Sequence, residues 1–165
     1  MTVTRRVTVE RNRLRFAAAH MATFGGGCEP LHGHNYDVLI ELEGDLTEDS
    51  WVWDFGAVKR AARAITDELD HHFLLQRDSK HLHIAELGDA WEVAFRDKRY
   101  VFPRADVYPL PLENTTAECI SEWFAGRLLA DLRKQGATNL HKLSVGIEEM
   151  PGQAGWYTVE MEGQA

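Results

Sequence analysis

Residues 14–42, LRFAAAHMATFGGGCEPLHGHNYDVLIEL, hold two alternating apolar runs separated by a glycine-rich turn. The first run begins at Val7, and its Leu14, Phe16, Ala18 and His20 fall on one parity, the pattern of a half-buried strand. In the second, His32, His34, Tyr36, Val38, Ile40 and Leu42 share a parity, and the strand is expected to end near Gly44-Asp45. Strand side chains repeat every two residues, so His32 and His34 present two imidazoles on one face. Gly33 between them allows close backbone approach, and His20, in phase on the preceding strand across a predicted hairpin, can supply a third nitrogen. Three neutral imidazoles suit zinc with one coordination position left open, the arrangement of a catalytic site.

Neighbouring titratable groups extend this pattern. Cys28 follows three glycines and lies close to the predicted dication, which favours its thiolate. It stands either as a base or nucleophile or as the fourth ligand of a closed structural site. Cys119, inside a predicted helix, reads as a small buried hydrophobe. Asp70-His71-His72 ends a helix, where a carboxylate–imidazole pair is either a helix-terminal contact or an oriented acid/base couple. Leu143, Val145, Ile147 and Glu149 share a strand face, so Glu149 points inward and needs a partner. That partner is an arginine or a ligand edge with two adjacent N–H donors, as in a pterin or guanine. His81 and His83 repeat the His-x-His spacing without a third ligand in phase and read as solvated surface.

Composition bounds the remaining possibilities. The chain has 165 residues, 26 acidic against 18 basic, and a formal charge of −8. Such a balance lacks the basic field of a nucleic-acid or anionic-membrane binder. Two cysteines argue against a disulfide scaffold, and the start MTVTRRVTVE has no apolar signal core, so a cytoplasmic location is expected. One domain is expected over residues 1–165. A helix is predicted from Asp54, as N-cap, to Leu69, and a second from Thr115, with Glu118 completing a capping box, to Gly136. Residues 78–113 read as an irregular insertion carrying a hairpin, Trp91–Phe95 with Tyr100–Phe102. Two strands close the chain, Leu140–Glu149 and Trp156–Met161. The order predicts an α+β fold with an antiparallel sheet.

Taken together, FAAAH ending at His20, CEPLHGH from Cys28 to His34, LDHH from Leu69 to His72, TAE from Thr116 to Glu118 and VGIEE ending at Glu149 resemble the 6-pyruvoyl-tetrahydropterin synthase / 6-carboxytetrahydropterin synthase family. The resemblance implies a tunnelling fold: a four-stranded antiparallel sheet with two helices on one face, assembled into an oligomeric barrel as a trimer or hexamer with sites between subunits. It implies Zn2+ held by His20, His32 and His34, acid/base chemistry by Cys28, Asp70 and His71, and a pterin anchored by Glu149 with Thr116 nearby.

The family substrate is 7,8-dihydroneopterin triphosphate. The cysteine three residues before His-Gly-His resembles the 6-carboxytetrahydropterin synthases of queuosine biosynthesis, which release acetaldehyde and triphosphate. Glu29 adds E-x-x-H-G-H, similar to variants that form 6-hydroxymethyl-dihydropterin for folate, and the fused motif is similar to forms proposed to do both. Otherwise Glu29 is a solvated loop residue. Formation of 6-pyruvoyl-tetrahydropterin and a non-enzymatic zinc- or purine-binding oligomer are the other readings. The long stretch between His72 and Thr116 and the Met150 after Glu149 depart from the family pattern.

Overall fold

The computed structural model describes residues 3–10 and 14–161. The alternating runs become β1 (Arg6–Val9) and β2 (Arg15–His20), the two-residue strands β3 (Thr23–Phe24) and β4 (Gly27–Cys28), and the long β5 (His32–Gly44). The single strand expected from Val7 to His20 is interrupted. In the register of β2, where Arg15 faces Asp37, Val9 would lie opposite Glu43, yet it lies opposite Ile40. That three-residue shift swaps the inward parity, from Val9 in β1 to Leu14, Phe16, Ala18 and His20 around β2.

Helix α1 (Phe55–Leu69) starts where predicted. Asp54 accepts from the backbone N–H groups of Gly56 at 3.1 Å and Ala57 at 2.8 Å. Helix α2 (Ala117–Lys134) is capped by Thr116, one residue later than expected, through a 3.4 Å bond from the Cys119 N–H. Thr115 is instead fully buried and donates its hydroxyl to Gln76 at 2.8 Å. Glu118 therefore sits at the second helical position and is not the partner of a capping box. The helix ends before Gly136, whose φ of +90° suits glycine.

The remaining strands are β6 (His72–Gln76), β7 (His83–Leu87), β8 (Ala90–Phe95), β9 (Lys98–Pro103), β10 (Val107–Leu110), β11 (Leu140–Met150) and β12 (Gln153–Glu160). The main sheet runs β10-β6-β2-β5-β11-β12, with β1 on β5, so it has seven strands where four were expected. One of the three extra strands comes from the split of the first into β1 and β2, and the others are β6 and β10, which join in parallel. The His72–Gln76 strand is buried on both faces: Leu74 enters the main core, while Phe73 and Leu75 enter a second cluster. Such a strand reads as an unbroken apolar run instead of an alternating one. Pro109 is tolerated because β10 is an edge.

Both helices pack on one face of the sheet. Val58, Ala62, Ile65 and Leu69 of α1 and Ile120, Phe124, Leu128 and Leu132 of α2 meet the inward residues of β2, β5 and β11. The opposite face carries cross-strand ion pairs, with Arg15 gripping Asp37 at 2.8 and 2.7 Å. The predicted hairpin forms as β8–β9, and β7 extends it to a three-stranded meander over the second cluster, so residues 78–113 are more regular than expected. The architecture is mixed α+β with two helices. No described helix is long and apolar enough to cross a membrane.

Candidate functional site

Antiparallel pairing of β2 with β5 sets His20 directly opposite His32. The ring centroids of His20, His32 and His34 lie 4.6, 5.2 and 4.9 Å apart, and their candidate ligand atoms all fall within 4.8 Å of one another. Gly33 permits the approach: a Cβ there would stand 2.9 Å from the Ala18 carbonyl oxygen. Tyr36, stacked on Phe16 and edge-on to His20 and His34, forms the buried floor.

Hydrogen bonds set the Nδ1 of two of these rings as donors. His20 Nδ1 donates to the Thr115 carbonyl and His32 Nδ1 to the Pro30 carbonyl, both at 2.8 Å. A carbonyl only accepts, so each Nδ1 carries a proton, and the neutral tautomer of each ring leaves its lone pair on Nε2. The two Nε2 atoms then face each other at 3.1 Å. Lone pairs at that separation repel unless a cation joins them. His34 Nε2 is buried without a hydrogen-bond partner among the described residues. Burial pushes the pKa of His20 down to about 4, so its ring is neutral near pH 7. Three imidazoles with converging ligand atoms, the His20 ring neutral, form a site able to hold a metal ion.

A cavity of about 510 Å³ opens over the triad and is walled by Glu29, Thr116, Glu118 and Glu149. A register shift between Glu148 and Met150 ends regular pairing of β11 and leaves Glu149 at the rim, its Oε1 3.9 Å from His20 Nε2. Burial raises its carboxyl pKa, with the neighbouring His34 acting the other way. Glu29 enters from the loop before β5, its Oε2 3.9 Å from His32 Nε2. Glu118 lies in the same wall, and sequence reasoning set it aside as a capping residue. Recognising Thr116 as the cap would have freed it. Gly155 makes the wall possible, because a Cβ there would meet the Glu118 backbone nitrogen at 2.6 Å.

Cys28 and the Asp70–His71 pair are elsewhere. Cys28 packs against the second apolar cluster, its Sγ 3.5 Å from the Glu29 carbonyl. Burial pushes its thiol up, only partly offset by Lys98. It lies outside the convergent ligand group found among the described residues. Asp70 caps the edge of β2: its Oδ1 accepts from Ala17 N–H at 2.7 Å, the main reason its carboxyl sits below the usual range. Its Oδ2 holds His71 Nδ1 at 2.8 Å. His71, exposed and at φ +59°, borders a second cavity of about 530 Å³ with His72, Asn35 and Asp106. His34 borders both cavities, but this protomer does not place His71 over the triad.

The model of the family described as 6-pyruvoyl tetrahydropterin synthase matches residues 8–160. The chain belongs to this family. It is accordingly an enzyme of lyase type, similar to proteins of related activity. A Methanocaldococcus jannaschii protein provisionally named a 6-carboxy-5,6,7,8-tetrahydropterin synthase is 33% identical over 150 residues, 90% of this chain and 92% of that one. The Aquifex aeolicus 6-carboxy-5,6,7,8-tetrahydropterin synthase is 26% identical over 139 residues, 74% of this chain and 79% of its own. The crystal structure of Plasmodium vivax 6-pyruvoyl tetrahydropterin synthase superposes with a TM-score of 0.90 at 29% identity, covering 97% of this chain and 100% of that one. Two further structures of the Plasmodium vivax protein carry a catalytic glutamate replaced by alanine or by cysteine.

Proposed function

We propose that this family member is a zinc-dependent lyase acting on 7,8-dihydroneopterin triphosphate, forming 6-carboxy-5,6,7,8-tetrahydropterin with loss of acetaldehyde and triphosphate. The observation that carries the reading is the convergence of three imidazoles in a cavity that Glu29, Glu118 and Glu149 also line. The 3.1 Å between His20 and His32 Nε2 is near the roughly 3.3 Å edge expected for nitrogens around tetrahedral zinc. Bound there, zinc supplies a Lewis acid that makes side-chain hydroxyls of the substrate easier to deprotonate.

The chain's own groups do the rest. Glu149 and Glu118 accept from the amino-pyrimidine N–H edge of the pterin, and Thr116, at the start of α2, borders the ring. Burial raises the pKa of Glu149, and a bidentate N–H pair stabilises its ionised form. Cys28, on the hairpin that precedes β5, relays a side-chain proton. Asp70 orients His71 through Nδ1, leaving His71 Nε2 to give or take the second proton. Because His71 faces a different cavity from the triad, a complete site needs His71 of another copy, which supports a homo-oligomer of trimer or hexamer type. The acidic chain fits a small-molecule substrate in the cytoplasm, with no nucleic acid or membrane partner.

A second reading is favoured by the positions of Glu29 and Cys28. The carboxylate lines the cavity while the thiol does not, which supports cleavage to 6-hydroxymethyl-dihydropterin with Glu29 as base. Incubating zinc-loaded protein with the substrate and separating the products distinguishes the two. Cys28→Ala is expected to suppress the 6-carboxy product and Glu29→Gln the 6-hydroxymethyl product, and absence of any turnover would sink both. Mixing inactive His71→Ala and Glu149→Ala subunits should restore part of the activity if sites form between copies.

A further inference from the structure

Behind the triad lies a buried polar chain that none of the chemistry above uses. Gln76 in β6 is 1% exposed and Thr115 fully buried. Asn114 is the hub. Its Oδ1 accepts from the backbone N–H groups of Thr23 at 2.9 Å and Thr115 at 3.0 Å, and its Nδ2 donates to the Thr23 carbonyl at 2.7 Å. Two N–H donors on one end and a carbonyl on the other fix the orientation of this amide. Gln76 Nε2 donates to the same Oδ1 at 3.3 Å, which turns Gln76 Oε1 toward the Thr115 hydroxyl, 2.8 Å away. The Thr115 carbonyl then accepts from His20 Nδ1. Each bond along Gln76–Thr115–His20 joins a donor to an acceptor, and the chain ends on the nitrogen that decides the tautomer of a metal-ligand candidate.

The same hub reaches the other side of the cavity. Thr23, which Asn114 holds at both backbone groups, pairs with Cys28 across β3–β4, and the Glu29 N–H bonds to the Ala22 carbonyl at 2.9 Å. Asn114 thus splices the hairpin carrying Glu29 to the segment carrying Thr115, as a strand neighbour would.

We propose that Gln76, Asn114 and Thr115 are positioning residues that lock the His20 imidazole and the Cys28–Glu29 hairpin in a single register. This rests on the metal reading of the triad. Co2+ binding, followed by its visible absorption band, and Zn2+ affinity, measured by chelator competition, test it without reference to turnover. Thr115→Val and Gln76→Leu are expected to weaken both metals about tenfold, within the range for loss of a group that orients a ligand. The Co2+ band should shift, and Thr115→Ser should restore affinity and band. Asn114→Ala should in addition speed amide exchange of residues 25–29. Should Gln76→Leu fail to fold, Thr115→Val, which removes only a hydroxyl, carries the test. Folded variants that bind within twofold of the unsubstituted protein, with an unshifted band, overturn the proposal while leaving the metal reading intact. An unsubstituted protein that binds neither metal overturns both.

Discussion

The chain contains His-x-His twice, and the two copies behave differently. His32 and His34 lie in a thirteen-residue strand whose neighbour, β2, delivers His20 opposite His32. His81 and His83 are both exposed. His83 opens β7 at the edge of a three-stranded meander, and its cross-strand neighbour is Ala94. The intervening residue differs as well: Gly33 lets β2 approach closely, whereas Leu82 is itself buried in the second cluster. Spacing alone places two imidazoles on a face. The neighbouring strand supplies the third imidazole, and burial of His20 keeps that ring neutral.

Removing a ligand should break this contrast most strongly. His20→Ala or His34→Ala is expected to abolish zinc retention through dialysis against a chelator, exceeding the roughly 10–100-fold loss typical of an outer partner. His81→Ala should retain zinc in the same experiment. Equal loss in both would mean that the two His-x-His pairs are not distinguished as described.

Acid sensitivity of the metal-free protein comes next. His20 has an ordinary pKa near 6.5 when unfolded and about 4 when folded, because burial disfavours its charge. The unfolded chain therefore binds a proton that the folded chain refuses, and stability present above pH 6.5 is lost as pH falls toward 4. The difference corresponds to about 3 kcal/mol. Urea unfolding at several pH values should show this slope, and His20→Gln should flatten it, while His83→Gln leaves it in place.

These expectations also mark where sequence reading succeeds. Alternation in Leu14–His20 and His32–Leu42 is local and survives in the fold, as does the Asp54 cap, because both depend on neighbours within a few residues. Parallel addition of β6 and β10 is not local: it depends on Phe73 and Leu75 finding Trp91, Val93 and Val107 on the far face. The orientation of Cys28 against that of Glu29 was illegible for the same reason. Their hairpin is two residues wide on each side, and the meander that buries the thiol lies more than fifty residues away in sequence. Thr115 and Thr116 are equally good caps by residue type. Only burial of Thr115 under Gln76 decides between them, and with that decision Glu118 joins the cavity.

The glycine between the histidines gives a smaller, sharper test. Gly33→Ala places a methyl 2.9 Å from the Ala18 carbonyl oxygen, a backbone atom that cannot swing aside. Overpacking of this kind costs about 1–3 kcal/mol. Since the strain falls on the β2–β5 ladder, zinc affinity should drop along with the unfolding free energy. A loss of stability with unchanged affinity would show that the ladder relaxes without moving His20.

The smallest effect is expected at the second His-x-His pair, and it is informative because it is small. His81 and His83 are solvent-exposed, and with Lys80 and Glu113 His81 borders a small cavity of about 150 Å³. Lys80 is already paired with Glu113 at 2.6 Å, which fills the nearest carboxylate. The convergent ligand group among the described residues holds neither histidine. Substituting both by alanine should therefore change the unfolding free energy by no more than about 0.5 kcal/mol, the usual range for surface positions. Zinc stoichiometry per chain should be the same before and after. A fall in stoichiometry would reveal that exposed imidazoles at this spacing recruit a further ligand from outside the protomer, and the contrast between the two pairs would then lie in assembly and not in the neighbouring strand.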